Sequence, residues 1–227
     1  MKKREKAVNP YVIIAFFFCF VIFLGGYLIT NYSLQQLKVT SYETVNYQIT
    51  TKLGIQAELF LLAKADAIFQ NLMHKEWSQL ASKPHYDKGL IYSPFANIGA
   101  EDDLFFSVKD IEDFNNNEKE YRWSWDQSGR EYFATPNEWV DEFLAVHKFN
   151  PDYQLTYDQI SYNDSIVDGG GSQPNTIPEV FPDAIYIEYY HEPDEDDWHY
   201  WQALRFVFEQ INDEWYLIAI VRGAHNP

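Results

Sequence analysis

Hydrophobic residues follow three patterns along this chain: one unbroken run near the start, a helical stripe after residue 55, and alternation in the last third. The run is Tyr11 to Ile29, nineteen residues without a formal charge. A helix of that length spans roughly 28 Å, close to the ~30 Å hydrocarbon core of a bilayer. The pattern therefore predicts a transmembrane helix over residues 11–30, preceded by a basic tail, 1–10. Residues 31–54 are polar and rich in Thr, Gln and Tyr, yet Tyr42, Val45, Ile49 and Leu53 recur at helical steps. They read as a stalk: either a plain spacer or a helix that associates weakly with a second copy.

From Ile55 the period is clear. Leu61, Leu62, Ala65, Ile68, Phe69 and Leu72 form one apolar face, with Glu58, Lys64, Asp66, Gln70 and Asn71 mostly elsewhere. This predicts an amphipathic helix of four or five turns. A short helix over Glu76 to Ser82 stops before Pro84, and Gly89 to Phe95 reads as extended. Ser107, with Asp110 three positions on, predicts a capped helix that Asn115-Asn116-Asn117 closes. Tyr121, Trp123 and Trp125 alternate with Arg122, Ser124 and Asp126, a strand ending in the turn Asp126-Gln127-Ser128-Gly129. Thr135-Pro136-Asn137-Glu138 opens a helix expected to reach about His147. Asp168 to Asn175 reads as a flexible loop.

The last third is strand. Ala184 to His191 is aromatic and β-branched, and Ala203–Ile211 and Glu214–Val221 flank the hairpin signal Asn212-Asp213. Regular pairing through that turn puts Leu204, Phe206, Phe208, Trp215, Leu217, Ala219 and Val221 on one apolar face, which must be buried. Arg205, Val207, Glu209, Tyr216, Ile218 and Ile220 fall on the other. Early helices and late antiparallel strands make an α+β domain over residues 55–227.

Charge adds an orientation. Lys2, Lys3, Arg4 and Lys6 precede the span, so the N-terminus is expected in the cytoplasm and the C-terminal domain outside. A cleaved leader is the competing reading, but GGYLITNYS after the apolar region offers no small-x-small cleavage site. Phe16-Phe17-Phe18 before Cys19 also argue against a lipoprotein signal. The chain has 17 Lys and Arg against 34 Asp and Glu; without the first six residues the balance is 13 against 33, about −20. So acidic a domain repels nucleic acid and anionic lipid, which disfavours both as partners of the outer part, and no nucleic acid is expected. Cys19 is the only cysteine, so the outer domain has no intrachain disulfide. A bacterial cell membrane fits that composition better than a eukaryotic exterior.

The order of elements, two helices, an extended piece, a third helix and strands ending in a long hairpin, resembles the nuclear-transport-factor-2-like, or ketosteroid-isomerase-like, fold. WSQLASKPHYDKGLIYSPF, EYRWSWDQSG, VFPDAIYIEYY and WQALRFVFEQINDEWYLIAIV further resemble extracytoplasmic domains of uncharacterised Gram-positive surface proteins. The resemblance implies a curved sheet wrapped on a long helix, forming a cone. It names no activity, because that fold hosts isomerases, dehydratases and non-catalytic binding domains. Relatives of this kind carry an acidic and aromatic tail after the last strand, where this chain has Arg222-Gly223-Ala224-His225.

Candidate chemistry follows from residue type. A base and an oxyanion donor inside such a cone would come from His85, Tyr92, Asp126 and His191. Trp123, with Trp125, offers a stacking face, although aromatics at period two are more often sheet core. Asp194, Asp196 and Asp197, in the run HEPDEDDWH, are weak calcium ligands by type, without the alternation and glycine of an EF-hand. No zinc spacing, phosphate loop or nucleophile triad stands out, and no cofactor is expected. The expectation is a membrane-anchored extracytoplasmic domain that binds a protein, a cell-wall component or a small ligand without catalysis. A ketosteroid-isomerase-like enzyme and a calcium-stabilised surface assembly module are the alternatives.

Overall fold

The structure, a computed structural model, describes residues 54–126, 128–147, 150–167, 173–194 and 199–225. The chain divides into two units, Met1–Ala57 and Glu58–Pro227. The basic tail, the expected span and the stalk up to residue 53 lie outside the described residues. Among the described residues, no helix is long and apolar enough to cross a membrane.

Helix α1 covers residues 54–73 and buries the predicted face, with Leu61, Ala65, Ile68 and Leu72 fully inaccessible. Burying each of the larger side chains stabilises the fold by about 1.5–3 kcal/mol, so tertiary packing fixes this helix more than propensity does. Helix α2 (Trp77–Ala81) leads to strand β1 (Leu90–Ser93) and β2 (Leu104–Phe106). Gly89, just before β1, has φ +66°, and a Cβ there would stand 2.4 Å from the Phe106 carbonyl oxygen. Only glycine fits both constraints. Ser107 and Asp110 form the expected capping box on α3 (Val108–Glu112), which runs on into a 3-10 turn, Asp113–Asn116.

Strands β3 (Tyr121–Trp125) and β4 (Glu131–Ala134) pair as a separate ribbon. Thr135 caps α4 (Pro136–Trp139) through a second capping box. The helix predicted to continue to His147 does not: the backbone widens into a π turn over Val140–Leu144, and Val146–His147 is strand β5, paired with β6 (Asn150–Gln154). The sequence reading had also passed over β6, β7 (Gln159–Tyr162) and the short helix α5 (Ile177–Val180). Strands β8 (Ile185–His191), β9 (Gln202–Ile211) and β10 (Glu214–Ala224) complete the chain.

The main sheet has the order β2-β1-β10-β9-β8-β7. It is mixed rather than wholly antiparallel, because β1 runs parallel to β10 while every other neighbouring pair is antiparallel. The β9–β10 turn is as expected, with Asn212 and Asp213 at φ 51° and 66° and Glu214 opposite Ile211. The faces beyond it are not. Leu217 pairs with Phe208 but Ala219 with Val207, so Ile218 is an extra, bulged residue. One inserted residue exchanges every later side chain between the two faces. Ile220 and Arg222 therefore lie across from Phe206 and Leu204 on the α1 face, while Ala219 and Val221 pass to the outside. The strand also runs through Arg222-Gly223-Ala224, which is sheet rather than tail.

The sheet is buried on both faces. One packs on α1, α2, α4 and the aromatic ribbon; the other is covered by Ile98 and Ile177 over Tyr186, Val207, Ala219 and Val221. That second layer explains why the ion pair of Arg205 with Glu188, 2.6 Å apart on the face away from α1, is fully buried.

Candidate functional site

The residues singled out by type do not meet. His85 packs edge-on against Tyr216, 5.0 Å between rings, and its Nδ1 accepts from the Asp87 amide. Asp126 closes its own turn, accepting from Ser128, the Arg130 amide and the Tyr132 hydroxyl. The Ser128 hydroxyl bond, with those others, holds its carboxyl below the usual range. Trp123 is core: its indole N–H donates to the Ala134 carbonyl at 2.8 Å and its ring stacks on Trp139 at 4.3 Å. A bulge at Trp123 breaks the β3 alternation, and Trp125 packs edge-on against Phe95. Tyr92 sits against both Trp123 and Trp139, its hydroxyl donating to the Trp123 carbonyl at 3.3 Å. No hydrogen bond, ring contact or ion pair joins any two of His85, Tyr92, Asp126 and His191 among the described residues. Asp194 donates its backbone N–H to the Tyr153 hydroxyl. Asp196 and Asp197 lie outside the described residues, and no group of metal-ligating side chains is found among the described ones.

Tyr92 and His191 instead belong, from different sides, to a polar pole built around Arg222. The Ile218 bulge turns Arg222 inward, and its side chain is buried. Its Nε donates to Gln202 Oε1 at 2.8 Å. The Gln202 amide nitrogen in turn donates to the Phe143 carbonyl at 2.8 Å and to the Tyr157 hydroxyl. The π turn is what brings that carbonyl into the core. Burial depresses the Arg222 pKa, against the pull of the Tyr92 and Tyr157 hydroxyls. Those two phenols stay protonated: burial pushes Tyr92 up to about 12 and Tyr157 also upward.

Four of the six histidines in the chain gather at this pole. His147 at the end of β5 packs 4.1 Å from Tyr200, which also contacts His199 and Tyr153. His199 lies 6.3 Å from His225, and His191 packs on Tyr153 and Tyr157. Burial first, then Arg222 and the other three imidazoles, lower His147 to about 4. His191 is lowered by burial against the opposing pull of Asp158 and Asp194. The His191 Nδ1 accepts from the Thr156 amide at 3.1 Å and lies 3.2 Å from the Thr156 hydroxyl. Accepting from an amide places the ring proton on Nε2, which is buried and has no partner among the described residues. Because Nδ1 is shared with that amide, the threonine orients the ring rather than being activated by it. The pole thus presents hydrogen-bond donors from the Arg222 guanidinium, the His191 imidazole and the Tyr157 hydroxyl, framed by aromatic rings.

Sequence reasoning found Tyr92 and His191 but missed Arg222, Gln202, Tyr157, His147, His199 and His225. The available signal was Arg222 itself, a cation continuing the apolar strand LIAIV.

An open groove of about 490 Å³ runs between α1 and the sheet edge at β7. Leu62, Ile160, Tyr162 and Tyr189 line it, with Glu58 and Asp66 on its α1 side. The nearby Glu58 adds to burial in raising the Tyr162 pKa, and Asp66 does the same for Tyr189.

No protein-family model and no curated protein matches the chain. Among solved structures, it is similar to one described as a calcium/calmodulin dependent protein kinase II association domain from Xanthomonas campestris. The two share 10% identity at a TM-score of 0.32, over 72% of this chain and 84% of that one.

Proposed function

We propose that this chain is a single-pass membrane protein whose extracytoplasmic domain, of nuclear-transport-factor-2-like build, binds a small ligand at the Arg222 pole without transforming it. The observation that carries the reading is a buried guanidinium with two buried imidazoles, His147 and His191, and two protonated phenols, flanked by the half-buried His199 and His225. Desolvating so many polar groups costs stability, and a domain held by its core alone gains nothing from it unless they serve a ligand. The candidates for acid–base chemistry are dispersed, which favours binding over turnover. The charge-free run Tyr11–Ile29 and the basic residues before it supply the anchor and its orientation. A protein or wall component could be held by the same molecule at the α1–β7 groove, whose aromatic floor and acidic side would favour a basic partner.

Full-length protein in detergent, screened against neutral and charged small molecules, tests this reading. A true ligand raises the melting temperature, since anything bound to the native state alone must do so. It also shifts the imidazole signals of His147, His191, His199 and His225 while those of His74 and His85 stay fixed. Stabilising compounds that move only His74 or His85 would contradict the assignment, as would turnover abolished by His191→Gln.

A further inference from the structure

The two buried arginines of this domain are treated differently. Arg205, on the outer face of the sheet, is neutralised by Glu188 at 2.6 Å, with both side chains almost wholly inaccessible. Arg222, on the inner face, has Gln202 as its hydrogen-bond partner, and no carboxylate pairs with it among the described residues. This chain has 34 acidic residues, so a missing counter-ion does not reflect a shortage of acids. Burying an unpaired ion is among the costliest arrangements in a protein core. Gln202 cannot neutralise it, being uncharged and already donating to Phe143 and Tyr157. Nor can Tyr92 or Tyr157, since burial keeps both phenols protonated. His191 adds a buried Nε2 without a partner among the described residues. The acceptors in this set, Gln202 Oε1 and the Tyr157 hydroxyl, are uncharged, so among the described residues no acceptor with negative charge meets Arg222.

We infer that the Arg222 pole is a binding site for a small organic carboxylate, which supplies the counter-ion that no described residue provides. The inference rests on the pole being a ligand site, and adds the chemical class. With Nε held by Gln202, the planar guanidinium still has its two terminal nitrogens for a carboxylate, a geometry an ammonium cannot reproduce. The rings of Tyr153, Tyr157 and Tyr200 around the histidines suit an apolar body behind the carboxylate.

The test titrates full-length protein in detergent with acetate, succinate and benzoate, each against its amide, and with inorganic phosphate. The readouts are the Arg222 Nε–H signal, identified by its loss in Arg222→Gln, the imidazole signals, and the melting temperature. At least one carboxylate is expected to shift the Arg222 and His147 signals while its amide does not. Arg222→Gln should weaken that carboxylate by about tenfold or more, and Arg222→Lys, which keeps the charge but not the fork, by an intermediate amount. The comparison of acid with amide on the unaltered protein stands even if the variants fail to fold. Amides that bind the pole as well as their acids would overturn the carboxylate assignment and leave the ligand site standing. Phosphate binding there without any carboxylate would overturn it too. If neither series nor phosphate moves the pole signals, both the assignment and the ligand-site reading fail.

Discussion

Arg205 and Glu188 make the sharpest test at the level of single residues. Burial pushes the Glu188 pKa upward, and Arg205 at 2.6 Å, with the Ile166 amide, pulls it back down. Glu188→Gln should therefore destabilise the domain by about 3–5 kcal/mol in urea unfolding, since it strands a buried charge. The double change Glu188→Leu with Arg205→Met should recover most of that loss. A single change as mild as the double one would show that the pair is not desolvated. His147 sets a pH dependence. Its folded pKa of about 4 lies below the ordinary imidazole value near 6.5, so between the two the unfolded chain binds more protons. Stability from this group is complete above about pH 6.5 and is lost as pH falls toward 4. His147→Asn should flatten the slope of unfolding free energy over that window; an unchanged slope would mean the imidazole is solvated in the native state.

At the level of elements, legibility depended on whether the signal was local. The capping boxes at Ser107 and Thr135, the α1 stripe and the Asn212-Asp213 turn all read correctly, because each depends on residues within one or two turns of one another. Ile68→Ala, at the centre of the α1 face, should cost about 2–5 kcal/mol and Thr135→Ala about 1 kcal/mol. Equal losses would mean that burial on the α1 face stabilises the domain no more than a single helix cap, that of α4, does. What was illegible was decided at a distance. The Ile218 bulge follows no local motif, since Ile218 sits in a run of apolar residues where any register looks acceptable. Missing it reversed Ala219 to Val221, hid Arg222 on a solvent tail, and so concealed the site. The π turn at Val140–Leu144 likewise ended a helix that its sequence could have continued. Deleting Ile218 would restore the regular alternation while leaving Ala219 opposite Val207 and Arg222 opposite Leu204 on the α1 face, because only the extra residue is lost. The deletion variant should therefore still unfold cooperatively and keep Arg222 buried beside Gln202; a variant in which Arg222 becomes solvent-accessible would contradict the register assigned here.

At the level of the whole molecule, topology and site form one account. An acidic C-terminal domain repels anions at long range, so the proposed anionic ligand needs a local, buried cation to hold it. The topology is tested by labelling. Cys19 is the only native thiol and falls within the expected span, so Tyr86→Cys, at a position 81% exposed, adds a single reporter. A membrane-impermeant maleimide should label that variant on intact cells; labelling only after lysis would put the domain on the cytoplasmic side. The site is tested most directly by an electron-density map of the protein purified from its membrane. The account predicts that the terminal nitrogens of Arg222 face a non-protein acceptor, or the space for one, between Tyr157 and His147. A map in which a carboxylate of the chain itself closes on Arg222 and fills that space would contradict it.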